Sequence, residues 1–189
     1  MDSNDRVGEA SPEIVESYKD YEPPPWFRKT VEKLLQSVPS IYLRGLRTVV
    51  HTNQSGLSRD QRRQKTWHRN HQYPLAEARG AYYAETRSRP ASVWLMVDNV
   101  LKAEPSFCYR LPLLRYDTVA SILYHEIGHH IHTVHRPVYE GKENVADDWS
   151  RKLSRRFLRR RYWYLMVFFY PAHLLLKLNK RIKKSPKRG

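Results

Sequence analysis

The 189 residues contain a single cysteine, Cys108. No intrachain disulfide can form and no thiolate cluster can gather a metal, which fits a reducing compartment. Acidic residues are absent from Arg151 to Gly189, where 14 Lys and Arg stand. The first 150 residues are nearly balanced, with 20 basic against 19 acidic, so almost all of the net charge of +15 sits on the C-terminal tail. Such polarisation points to an anionic partner, a membrane surface contacted through 151–189 ahead of nucleic acid. The N-terminus, MDSNDRVGEASPE, lacks the basic and apolar segments of a secretory signal. The expectation is therefore a cytoplasmic protein, peripheral at a membrane through its tail. The apolar run Tyr162 to Leu176 has 15 residues, broken by Pro171 and His173. A spanning helix needs roughly 20. Its aromatics and cationic flanks suit a segment lying in a membrane interface, and they suit equally a buried element of a core or dimer contact. No internal repeat is visible.

What remains divides into three parts. Residues 1–22 are polar, mostly acidic and poor in large aliphatics, and read as a flexible arm. Residues 23–160 carry the pattern of a folded α+β domain, and 161–189 form the apolar aromatic segment and basic tail. After Pro23, Pro24 and Pro25, the residues Phe27, Val31, Leu34, Leu35 and Val38 recur at helical spacing until Pro39 ends the run. Ile41 to His51, Gly80 to Glu85 and Ala91 to Val100 read as strands. Thr52 to Arg79, long, polar and basic, reads as a surface loop ahead of a nucleic-acid contact, for which Trp67, His68 and Tyr73 among Arg59, Arg62, Arg63, Lys65 and Arg69 supply stacking rings and cations. A helix is expected after Asp117, a good N-cap, ending near His135 because Pro137 disfavours helical geometry at Arg136. A second helix is expected over roughly Lys142 to Arg160.

The first of these helices carries the chemistry. His125 and His129 are four apart, and at about 100° per residue both rings fall on one face, one turn apart. Two imidazoles so placed can chelate Zn2+, and Glu126 between them can take a proton from a water. Val119, Ile122, Leu123, Ile127 and Ile131 supply the apolar side of the helix. Gly128, a poor helix former, implies that something approaches closely there.

A catalytic zinc site takes three protein ligands. His135, ten residues after His125, matches the last histidine of the metzincin pattern. That pattern also needs a glycine where this chain has His132, and a Met-turn where Met166 sits in an apolar aromatic run. On an unbroken helix His132 is carried away from a site shared with His125, and reads as substrate-facing or solvated. His130 points elsewhere and reads as structural or exposed. Glu143 is favoured: with Asp147 four residues on, it shares a face of the second helix with Ala146, Ser150 and Ser154, small residues that permit close approach. Asp147 can accept the N–H of a ligating histidine.

His-Glu-Ile-Gly-His followed by Glu-x-x-Ala-Asp resembles the gluzincin metallopeptidases. Within that clan it is similar to HtpX-like and CAAX-prenyl-protease-like enzymes, minigluzincins and ImmA/IrrE-like proteins. The resemblance covers roughly Ser92 to Leu158. It implies a zincin-like fold: a small mixed sheet, an active-site helix and a second, ligand-bearing helix. It also implies a zinc-dependent endopeptidase with His125, His129 and Glu143 as ligands, Glu126 as general base and Asp147 orienting a ligand. The substrate would be a protein or peptide held on an edge strand, here expected within Ala91 to Val100. Tyr139 or His132 would contact the substrate or its oxyanion. The competing expectation is a zincin-like scaffold that binds a protein partner or nucleic acid without turnover.

Overall fold

A computed structural model describes residues 11–68, 71–135 and 142–164. The chain forms two compact units, Met1–Ser154 and Arg155–Gly189. In the first, β1 (Glu13–Ser17), α1 (Trp26–Ser37) and β2 (Leu46–Thr52) are followed by a short helix, α2 (Arg59–Arg63), and a hairpin of β3 (Lys65–His68) and β4 (His71–Pro74). Then come β5 (Gly80–Tyr83), β6 (Ala91–Met96), α3 (Val97–Lys102), α4 (Pro112–His135) and α5 (Lys142–Arg161). The fold is α+β with a small mixed sheet. Its order is β1-β2-β6-β5, the first three parallel and β5 antiparallel to β6.

The inner strands β2 and β6 are covered on both faces: Val49 and Val50 of β2 and Val93, Leu95 and Met96 of β6 are buried, and β2 buries His51 and Thr52 as well. On α1, Phe27, Val31, Leu34 and Leu35 make the buried stripe. The helix stops where Val38, ahead of Pro39, turns extended. Tyr124 ties α4 to that helix, its hydroxyl donating to the Leu34 carbonyl at 3.1 Å and lying 2.7 Å from Ser37 Oγ.

Several expectations needed correction. The arm contains a strand: β1 pairs along β2, and its end is clamped where Asn53 exchanges hydrogen bonds with the Lys19 backbone at 2.9 and 3.0 Å. Backbone pairing and one side-chain amide do this work, and neither leaves a hydrophobic signature. The strand expected from Ile41 begins only at Leu46, after a turn in which Gly45 takes a φ of 84°. The strand expected over Ala91 to Val100 ends at Met96 and becomes α3. There the buried Asp98 accepts the Gln54 N–H, and Asn99 Nδ2 donates to the Ala76 and Ala78 carbonyls at 2.7 and 2.8 Å. These contacts need helical placement, which an apolar run cannot disclose.

Nor is β6 an edge. β5 pairs on its outer side, so the edge strand beside α4 is β5. The presumed loop Thr52 to Arg79 holds α2, started by a reciprocal Ser58–Gln61 capping box, and the hairpin. It also sends Leu57, Leu75, Ala76 and Ala78 into a core cluster with Ala81 and Met96. Finally, α4 starts at Pro112 rather than after Asp117. Proline is well placed in a first turn, where its missing N–H costs nothing.

The second unit is described from Arg155 to Tyr164, where Arg155, Arg156, Arg159 and Arg160 are exposed. Trp163 and Tyr164 are exposed as well. Most of the apolar run Tyr162 to Leu176 lies outside the described residues, as do the first ten residues and Tyr139. Among the described residues no helix is long and apolar enough to cross a membrane.

Candidate metal centre

The site is assembled where α4 and α5 touch. A Cβ added at Gly128 would lie 2.6 Å from Ala146 Cα and 2.8 Å from the Ala146 carbonyl oxygen, so the two backbones meet at van der Waals contact. Any larger residue at 128 would push α5 away. Two turns N-terminal on α4 the contact is reinforced by Ser150 Oγ, which donates to the Ser121 carbonyl at 3.1 Å. The approach anticipated from Gly128 and Ala146 is thus one between these two helices.

That contact sets Glu143, in the first turn of α5, against the histidines of α4. His125 Nε2 and His129 Nε2 are 3.2 Å apart. Each faces an oxygen of Glu143, His125 at 3.5 Å and His129 at 3.6 Å. At Zn–N and Zn–O lengths of about 2.0–2.1 Å, tetrahedrally arranged donors stand about 3.3–3.4 Å from one another. The three separations observed bracket that value. Among the described residues, His125, His129 and Glu143 form a group whose donor atoms lie within 4.8 Å of each other. Two imidazoles and one carboxylate are also the donor types that zinc takes in catalytic sites. The residues fit the ion.

Asp147, one turn along α5, receives the Nδ1–H of His125 at 3.0 Å. This selects the tautomer in which Nε2 keeps its lone pair and faces Glu143, as a ligating imidazole requires.

Glu126 lies on the neighbouring face of α4 and is only 7% exposed. Burial pushes its carboxyl up to about 8, the Glu143 charge adds to the rise, and the Tyr82 backbone N–H, which it accepts, opposes it. A divalent cation among the three donors would act in the opposite sense, favouring the ionised carboxylate. Strand β5 packs closely on this residue: a Cβ on Gly80 would lie 2.9 Å from both Glu126 Cγ and Ile122 Cγ2, so a side chain there would force α4 side chains to shift.

His130 is not exposed but 2% accessible, and it pins β5 in place. Its Nε2–H donates to the Arg44 carbonyl at 3.0 Å, leaving Nδ1 to accept the Tyr82 hydroxyl at 3.1 Å. Its role is structural. His132 lies along the wall of the cleft, while Tyr139 is outside the described residues.

The cleft has a volume of about 860 Å³ and is walled by α4, the start of α5, β5 and the β3–β4 hairpin. His125, Glu126, His129 and Glu143 all line it. So do Tyr73 and Arg79, from the stretch read as a loop; periodic pattern gave no signal for either. Comparison with protein-family models, with curated proteins and with solved structures finds no match to this chain.

Asp147→Asn keeps the side chain's size but loses the charge that orients His125. Zinc affinity is expected to fall about 10- to 100-fold, measured by competition with a chromogenic chelator. An unchanged affinity would remove Asp147 from the site.

Proposed function

We propose that the chain is a zinc-dependent peptidase of zincin-like architecture, related to the gluzincins, that hydrolyses peptide bonds with Glu126 as general base. The observation that carries this reading is the convergence, in one cleft, of a His125–His129–Glu143 donor group with a buried carboxylate on the next residue of the same helix. Zinc held there would acidify a water and polarise a carbonyl.

The chain's own residues account for the remainder. Glu126 takes the proton of the attacking water and returns it to the leaving nitrogen, while a C–O bond forms and the C–N bond breaks. His125 is held by Asp147 in the required tautomer. Strand β5 offers an edge beside the site, and an extended peptide can add to it by main-chain hydrogen bonds. The size of the cleft suits several substrate residues more than one small metabolite.

We also propose that the end of α5 contacts an anionic membrane surface. At the end of α5, Arg155, Arg156, Arg159 and Arg160 are exposed, and Trp163 and Tyr164 follow, 63% and 51% exposed. Cations followed by amphipathic aromatics are what an anionic lipid interface attracts, at about 1 kcal/mol per cation near the surface. The apolar sequence continuing to Leu176 favours lipid over nucleic acid.

Two measurements check these readings. Glu126→Gln is expected to keep its zinc and lose about 100- to 10,000-fold in the hydrolysis of a mixed quenched-fluorescence peptide library. If wild type and variant both bind zinc and neither cleaves, the non-catalytic scaffold is the better account. In flotation, the full chain should rise with vesicles containing phosphatidylserine and not with pure phosphatidylcholine. Exchanging the four arginines for serine should abolish the difference, and equal flotation with both lipids contradicts the membrane contact.

A further inference from the structure

Amide hydrolysis places negative charge on the former carbonyl oxygen, and a positioned donor for that oxygen lowers the barrier. Three tyrosines line the cleft, Tyr73, Tyr82 and Tyr83. Two are engaged within the chain: the Tyr82 hydroxyl with His130 Nδ1 at 3.1 Å, and the Tyr83 hydroxyl with Gln64 Oε1 at 3.3 Å. Tyr73 makes no side-chain hydrogen bond among the described residues. Its ring is nonetheless fixed, packed against the buried cluster that includes Leu57, Leu75 and Met96. It stands on β4 opposite Thr66 of β3, another residue of the cleft wall. A hydroxyl anchored by its ring, with no partner among the described residues, is a donor held ready for a ligand.

We propose that the Tyr73 hydroxyl is a catalytic donor, which hydrogen-bonds the substrate's carbonyl oxygen as that oxygen becomes an anion. The inference rests on the peptidase reading and names a residue that neither the histidine motif nor α5 contains. The step moves no proton from Tyr73: the phenol donates a hydrogen bond and keeps its proton while Glu126 carries the transferred one. Burial and the charges of Glu126 and Glu143 raise its pKa, with Arg79 opposing, so it stays protonated at neutral pH. Tyr73, Glu126 and Glu143 line the same cleft.

Tyr73→Phe keeps the ring packing and removes only the hydroxyl. In the zinc-loaded full chain, kcat on the quenched peptide library should fall about 100-fold, with KM changed less than about twofold and zinc content unaltered. A second readout does not depend on turnover. A phosphoramidate peptide, whose tetrahedral anionic group mimics the intermediate, should bind the variant at least tenfold more weakly by calorimetry, while a neutral peptide amide binds both alike. If wild type binds zinc but cleaves nothing, the peptidase reading fails and phosphoramidate affinity still decides the role of Tyr73. Equal phosphoramidate affinities, or no measurable affinity in wild type, overturn the proposal. So does unchanged kcat in an active enzyme.

Discussion

The site depends on one van der Waals contact, that of Gly128 on α4 with the backbone of Ala146 on α5. Gly128 lies between the two histidine turns, and Ala146 lies one turn after Glu143. Because side chains of a helix share a face at three- and four-residue intervals, closing the helices here also fixes where Glu143 and Asp147 meet the imidazoles. Glycine inside α4 is unfavourable by about 1 kcal/mol relative to alanine. The structure accepts that cost because a methyl at 128 would collide with the partner backbone.

A second close approach works with the first. Gly80 lets β5 come close to Glu126, whose carboxyl is largely buried beside that strand at the wall of the cleft. His130, the histidine beside His129, holds the same strand through Tyr82 and ties it to the turn before β2 through the Arg44 carbonyl. One helix therefore organises both halves of the cleft: His125 and His129 face the carboxylates of α5, while Glu126 and His130 face the sheet. The electrostatics follow from this arrangement. A carboxylate buried beside another resists ionisation, and a cation held at Glu143 would favour the ionised form of Glu126.

Much of the candidate site was legible because its signals are local. His125, Glu126 and His129 follow from four-residue spacing on a helix, and Glu143 and Asp147 from the same spacing on the next. Their encounter was foreshadowed by the small residues at 128 and 146. What escaped has non-local causes. β1 is held by pairing with β2 and by Asn53, in a stretch whose composition is polar. The hairpin and Tyr73 lie where basic residues mask the few apolar anchors, Leu57 and Leu75, that reach the core. The edge strand was misplaced because an inner parallel strand gives the stronger apolar run, whereas the short β5, Gly-Ala-Tyr-Tyr, gives a weak one.

These contacts all converge on the donor group of His125, His129 and Glu143, which we propose holds a metal, and metal content tests that most directly. Purified full-length protein, dialysed against trace zinc and analysed by plasma emission, should retain one zinc per chain. Glu143→Ala, with its fold checked by circular dichroism, should retain far less than one. A wild type without stoichiometric metal, or a Glu143→Ala protein that holds zinc as tightly as wild type, would contradict the account.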